Sequence, residues 1–245
     1  MLTVRLKEPA RVMVRMKEIL QVFDPSVPAF EKGYEAGKKA QYDAFWDAYL
    51  TGFPRYTALF AGGGWDRETF KPARSINFKS NCSYCFYYNC AEVDLVALCE
   101  ELGITMTFEP ENAAYMFAYS LFTHLPEIDF TNVTALSNAF VNCKNIVTMD
   151  KLILKSNGTN TFASTFSGCN ALENVVIEGV IGNNVSFQNS HKLSRESIVS
   201  ILNALSPSTS GLTVTLSKTA KESAFTADEW AALIAEKPNW TIALS

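Results

Sequence analysis

The chain has 245 residues, 48% of them apolar and 19% charged, an ordinary globular balance that excludes a disordered chain. Acidic residues outnumber basic ones 25 to 21, and the resulting net charge of −4 argues against nucleic acid, which needs a basic face. No run of 18 apolar residues occurs, so membrane insertion is not expected.

Leu2, Val4 and Leu6 alternate with Thr3, Arg5 and Lys7, and after Glu8-Pro9-Ala10 the pattern resumes at Val12, Val14 and Met16. Two such runs around a turn predict a β-hairpin within residues 1–24. A lone hairpin is marginal in water, so it is expected to attach to another chain or partner. The same alternation leaves no apolar core for a signal peptide or lipid anchor. Folding in a reducing compartment is then expected, where the six cysteines need not form disulfides.

Pro25 and Pro28 precede a predicted helix within residues 25–50. Its seam is Phe30, Gly33, Gly37, Ala40 and Ala44, a coiled-coil-like spacing of threes and fours built from small residues. Glycine costs a helix about 0.8–1 kcal/mol relative to alanine, so two glycines on one seam point to close approach of a neighbouring helix. Self-association through this helix is expected, with a homotrimer as the favoured state. Residues 51–81, rich in aromatic, Gly and Pro residues, read as a linker and N-terminal cap. The Gly62-Gly63-Gly64 triplet lacks the Lys-Ser/Thr of a phosphate-binding loop.

One short phrase recurs through residues 82–193: an aromatic, a small residue three places on, and usually an aliphatic six places on. Phe140-Val-Asn-Cys143-Lys-Asn-Ile146 and Phe166-Ser-Gly-Cys169-Asn-Ala-Leu172 are the clearest copies. Phe187-Gln-Asn-Ser190-His-Lys-Leu193 is a third, and looser copies begin at Phe86 and Phe117. The starts lie 31, 23, 26 and 21 residues apart, irregular periods of the kind that stacked solenoid units give. Leu136 and Phe162 each precede their aromatic by four, a spacing that predicts a helical turn. Val93 to Gly103 predicts a helix, followed by a strand at Ile104–Phe108; Met149–Leu154 and Val175–Ile177 predict further strands.

Residues 194–245 read as a C-terminal cap. Ser194 opens a helix that Pro207 stops, Leu212–Leu216 alternates as a strand, Thr226 and Glu229 form a capping box, and Trp240–Leu244 is a last strand.

Candidate chemistry is sparse. Cys82, Cys85, Cys90 and Cys99 could by count bind zinc, but Cys82 and Cys99 fall where a small buried residue is wanted, so no metal site is assigned. Cys143 and Cys169 exchange with Ser120 and Ser190 at the same repeat position, which marks space-filling residues able to bond the backbone rather than nucleophiles. His124 and His191 lie near no nucleophile signature. Asp129, Asp150, Glu173 and Glu178 single out no facing pair of the kind a glycosidase needs. No enzyme activity and no cofactor are expected.

The segment Asp129-Phe-Thr-Asn-Val-Thr-Ala-Leu-Ser-Asn-Ala-Phe140-Val-Asn-Cys143-Lys-Asn-Ile146 resembles the bacterial-surface (BspA-like) leucine-rich repeats, over about residues 86–193. That resemblance implies an α/β repeat fold: a leucine-rich-repeat solenoid preceded by the hairpin and the oligomerising helix. Its repeat core would be Phe86, Phe117, Phe140, Cys143, Phe166, Cys169, Phe187 and Leu193. Residues 30–46, with Gly63-Gly64-Trp65 and Thr69-Phe-Lys-Pro72, resemble proteins encoded in prophages of gut Firmicutes. There such a segment joins a virion-attachment N-terminus to an outward binding tip. The two resemblances together imply a head or tail fibre or decoration protein located on the virion. Its partners would be itself, other virion proteins through the N-terminus, and a host-surface glycan or protein. The other reading is a bacterial surface or adaptor protein without a virion role.

Overall fold

The computed structural model describes residues 75–89, 92–155, 162 and 164–245. The N-terminal hairpin and the seam Phe30, Gly33, Gly37, Ala40 and Ala44 lie outside the described residues.

Every strand pair described is parallel. Strand β1 (Ser75–Asn81) pairs with β2 (Thr105–Asn112), and the register places Phe78 opposite Phe108. Their rings stack with centroids 4.8 Å apart. Strand β1 thus lies in the segment expected to be a linker. Helix α1 (Leu95–Leu102) connects the two strands. Asp94 caps its start by accepting from the Ala97 amide, and Gly103, at φ 62°, ends it in the left-handed conformation that glycine adopts without a Cβ penalty.

In the second sheet, β3 (His124–Leu125) and β4 (Ile128–Phe130) both pair with β5 (Thr148–Leu154), one after the other along the same strand. Pro126, which has no N–H to donate, falls between them and accounts for the break. Strand β6 (Asn174–Gly179) also pairs with β5. The third sheet orders β7 (Val185–Phe187), β8 (Leu212–Leu216) and β9 (Trp240–Leu244).

The C-terminal helices are α2 (Arg195–Asn203), α3 (Lys218–Ala224) and α4 (Ala227–Ala235), capped by Ser194, Ser217 and Thr226. Thr226 and Glu229 form a complete capping box. Arg195 ties α2 to this region: it reaches Glu229 at 3.0 Å, donates to the Ala224 carbonyl and lies over the Phe225 ring. The Trp240 indole N–H donates to the Ser206 carbonyl, so its buried polar edge is satisfied.

These residues form a mixed α/β fold, with three small parallel sheets and four helices among the described residues, and not the expected leucine-rich-repeat solenoid. The correction has a physical cause, visible at the sheet edges. A solenoid needs each strand to pass its free edge to the next. Here the edge of β6 is taken by helix α2: Val175 N–H donates to the Ser197 hydroxyl (2.9 Å) and Ile177 N–H to the Ser200 hydroxyl (2.8 Å). Backbone donors satisfied this way have no further strand to recruit. The β1–β2 register shifts between Ser80 and Asn81 of β1, and the end of β2 meets the following segment through an isolated bridge, Asn112 to Ala135, rather than a strand ladder. The periodic phrase therefore specifies an aromatic core and leaves the sheet broken into pieces. Among the described residues the largest fully buried side chains are all phenylalanines: Phe78, Phe86, Phe108, Phe117, Phe122, Phe130, Phe140, Phe166 and Phe187.

Candidate functional site

The repeated phrase folds as a run of turns. Phe86, Phe117, Phe140, Phe166 and Phe187 stack in one column, with successive centroids 5.1, 5.6, 5.6 and 4.3 Å apart and planes within 20°. Amides tie the first four rungs together: Phe86 N–H donates to Met116, Phe117 to Ala139 and Phe140 to Thr165. The small position three residues on is wholly buried at Asn89, Ser120, Cys143, Cys169 and Ser190. Cys143 donates to the Phe117 carbonyl (2.9 Å), Cys169 to Phe140 (3.1 Å) and Ser190 to Cys169 (3.1 Å). Thiol and hydroxyl do the same work there, capping a carbonyl of the preceding rung. Leu193, the aliphatic of the third phrase, is buried beside them.

These turns are not the helical turns that the spacing of four predicts, because their backbone twice enters the left-handed region. Two residues before the phenylalanine the positive-φ residues are Tyr84, Tyr115, Asn138 and Ser164; two residues after it they are Tyr88, Tyr119, Asn142 and Gly168. Glycine and asparagine occupy this region readily, whereas a bulky side chain there is an outlier that costs about 1–2 kcal/mol per residue. Four tyrosines hold it at φ between 55° and 60°.

Those four tyrosines, with Tyr87, form an aromatic array on the surface. Tyr84 stacks on Tyr115 (4.9 Å, 5°) and Tyr88 on Tyr119 (4.6 Å, 2°). Tyr87 stands edge-on to all four, at 4.7 to 6.3 Å. Tyr88 is 51% exposed and Tyr84 39%, large values for aromatic rings held in so regular a packing. The backbone beneath is fixed. Tyr84 N–H donates to Ala114, Tyr88 to Ala118, Tyr115 to Ser137 and Tyr119 to Val141, while the Asn81 and Asn112 side chains accept from the Ser83 and Ala114 amides to turn the chain into each rung. Burial pushes the Tyr87 phenol above its ordinary value, and the four neighbouring phenols add to the rise.

Sequence reasoning missed this surface. Its signal was present: aromatics recur two places before and two places after the phenylalanine in the first two phrases, at the offsets where later copies carry Asn, Ser and Gly.

The other candidates have structural occupations. Cys82 is buried and donates to the Lys79 carbonyl, and Cys99 lies on α1. Among the described residues no group of three His, Cys, Asp or Glu could hold a metal. Burial pushes the Cys82 and Cys143 thiols up to about 12, far from a thiolate nucleophile at neutral pH. His191 Nδ1 lies 2.8 Å from the Ser217 hydroxyl, but Ser217 is fully buried and caps α3, so its oxygen is closed to a substrate. His124 is clamped between two carboxylates, Nε2 at 2.6 Å from Asp150 and Nδ1 at 3.3 Å from Asp94. It joins the start of α1 to the second sheet. Glu127 and Glu178 both pair with Lys151, Glu173 pairs with Lys192, and Asp129 accepts from the Thr131 amide. No described helix is long and apolar enough to cross a membrane.

No family model, curated protein or solved structure matches the chain.

Proposed function

We propose that this chain is a structural protein of a phage virion, a head or tail fibre or decoration protein, that presents the tyrosine array outward to bind a host-surface glycan or protein. The observation that carries the binding half of this reading is the array itself. Four tyrosines occupy left-handed backbone that later copies of the phrase give to Asn, Ser and Gly, and the two outermost rings remain exposed. Strain of this kind is kept where the side chain has a task that a better-suited residue would not perform. The virion half rests on the resemblance of residues 30–46 and on the small-residue seam Phe30, Gly33, Gly37, Ala40 and Ala44. Assembly through that helix, most simply as a homotrimer, would place several arrays on one particle. Weak sites then gain avidity from copy number. The N-terminal hairpin would dock on other virion proteins. Neither a cofactor nor a catalytic step enters this reading.

Two measurements test it. The solution mass of the intact chain is compared with that of a chain beginning at Thr51, which keeps every described residue. Loss of an oligomer on truncation is the expected result; a monomer in both cases would move the reading to a bacterial surface or adaptor protein. Adsorption of the intact chain to cell envelopes of gut Firmicutes is the second, and failure to adsorb to any of them would remove the host-binding role.

A further inference from the structure

We infer that the tyrosine array is a glycan site, and that it takes an uncharged, linear, pyranose-containing chain rather than a protein or a nucleic acid. The inference rests on the binding role proposed above and names the ligand of that surface.

Three properties of the array select the ligand. The first is charge. Among the described residues the cations that lie over aromatic rings are Arg195 over Phe225 and Lys221 over Trp230, and none lies over the five tyrosines. An aromatic platform can stack nucleic-acid bases as readily as sugars, but a phosphate backbone requires cations beside the rings. Sugar acids and phosphorylated glycans are disfavoured on the same ground.

The second is the chemistry along the two columns. Tyr84 and Tyr115 are continued by Asn138 and Ser164, and Tyr88 and Tyr119 by Asn142 and Gly168. Aromatic rings thus give way to amide and hydroxyl groups at the same backbone positions. A neutral pyranose needs that pairing, since it presents C–H faces to stack and hydroxyls to bond. Asn138 and Asn142 are half-buried and Ser164 is exposed, so the polar rungs are open to solvent beside the rings. The columns are also packed closely. A Cβ at Gly168 would collide with the Asn142 side chain, which therefore lies along its column over the next rung.

The third is repetition without freedom. The paired rings are 4.9 and 4.6 Å apart, and each tyrosine amide is tied to the neighbouring rung. A surface already ordered adds little entropy cost on binding. Ligands that gain little per contact, as saccharides do, depend on such a surface. A regular ladder suits a ligand that itself repeats.

The test uses the full chain on an array of neutral linear hexose and N-acetylhexosamine oligosaccharides, printed beside sialylated, uronate-bearing and phosphorylated ones. Adsorption to Firmicutes envelopes is measured in parallel, after periodate oxidation or after protease digestion. Tyr84→Ala and Tyr88→Ala are the variants, and Tyr88→Asn keeps a residue suited to the left-handed backbone in case alanine disturbs the fold. Neutral oligosaccharides should be retained, at least ten-fold more weakly by each variant, and envelopes should lose binding to periodate but not to protease. Preference for charged glycans, failure to retain any neutral one, or protease-sensitive adsorption would overturn the glycan assignment and leave the host-binding role standing. Adsorption unchanged in folded Tyr84→Ala and Tyr88→Asn would overturn the site itself. Absence of adsorption to every envelope would overturn the role on which the inference rests.

Discussion

Replacing Tyr88 with asparagine separates a ring kept for the fold from a ring kept for a ligand. The substitution puts at Tyr88 the residue that Asn142 already supplies in the same column. It removes one stacked contact, with Tyr119, and one edge contact, with Tyr87. Such pairs are worth about 0.5–1.5 kcal/mol each beyond area burial, and the lower end suits a solvated position. Half of the ring is already exposed, so the lost burial is about half of the ~1.5–3 kcal/mol for a large apolar side chain. Against these losses, asparagine recovers part of the about 1–2 kcal/mol that a bulky residue spends in the left-handed region. The net cost should be about 1 kcal/mol. Phe140→Ala, by contrast, empties a ring stacked on both faces and 0% exposed, and should cost about 3–5 kcal/mol. Urea unfolding at equilibrium, followed by far-UV circular dichroism, measures both. A loss above about 3 kcal/mol for Tyr88→Asn would mean that the array is core rather than surface, and that its strained backbone serves the fold and not a ligand.

Three further outcomes follow from the described contacts. Cys143→Ser keeps a second donor for the Phe117 carbonyl and should change stability by less than about 1 kcal/mol, whereas Cys143→Val leaves that carbonyl the Ser120 amide alone, adds a methyl to a fully packed site, and should cost about 1–3 kcal/mol by the same unfolding assay. Thiol labelling at mildly alkaline pH, mapped by mass spectrometry, should reach half-buried Cys99 before Cys82, Cys143 or Cys169, which should react only on unfolding; early labelling of Cys143 would contradict its burial. His124 carries opposing influences: burial lowers its pKa, while the hydrogen bond and charge of Asp150 and the charge of Asp94 outweigh burial and raise it. Its folded value thus exceeds its unfolded one, so the clamp contributes fully below the ordinary imidazole value and is lost as pH rises through the raised value. Thermal melting from about pH 6 to about pH 9 should show this decline, and His124→Gln should remove that part of the slope.

What could be read from the sequence was mostly local. Ser194, Thr226 with Glu229, and Gly103 mark helix ends through side-chain and backbone chemistry confined to a few residues, and the structure places caps at each. The alternation at Leu212–Leu216 and Trp240–Leu244 gave those strands their observed bounds. The sheet boundaries were not local. Ser197 and Ser200 end the second sheet through bonds to Val175 and Ile177, more than twenty residues away, and in sequence they are two more polar positions on an amphipathic helix. The periodicity reports on the phenylalanine column and does not extend to a continuous line of strands. Helix α3, behind its Ser217 cap, is an element that the sequence reading does not predict. The tyrosines are not legible from the phrase, because the phrase is what its copies share and the surface lies where they differ.

That difference has an evolutionary consequence. Down one column the chain already displays Tyr, Tyr, Asn and Ser, and down the other Tyr, Tyr, Asn and Gly, above a phenylalanine column that does not vary over those rungs. Residues that point outward from a fixed left-handed turn can be exchanged without repacking anything below them. A lineage under pressure from a changing receptor could therefore rewrite seven of these eight positions one at a time, all but Gly168, where Asn142 leaves no room for a Cβ, with little of each change passed to the core as lost stability.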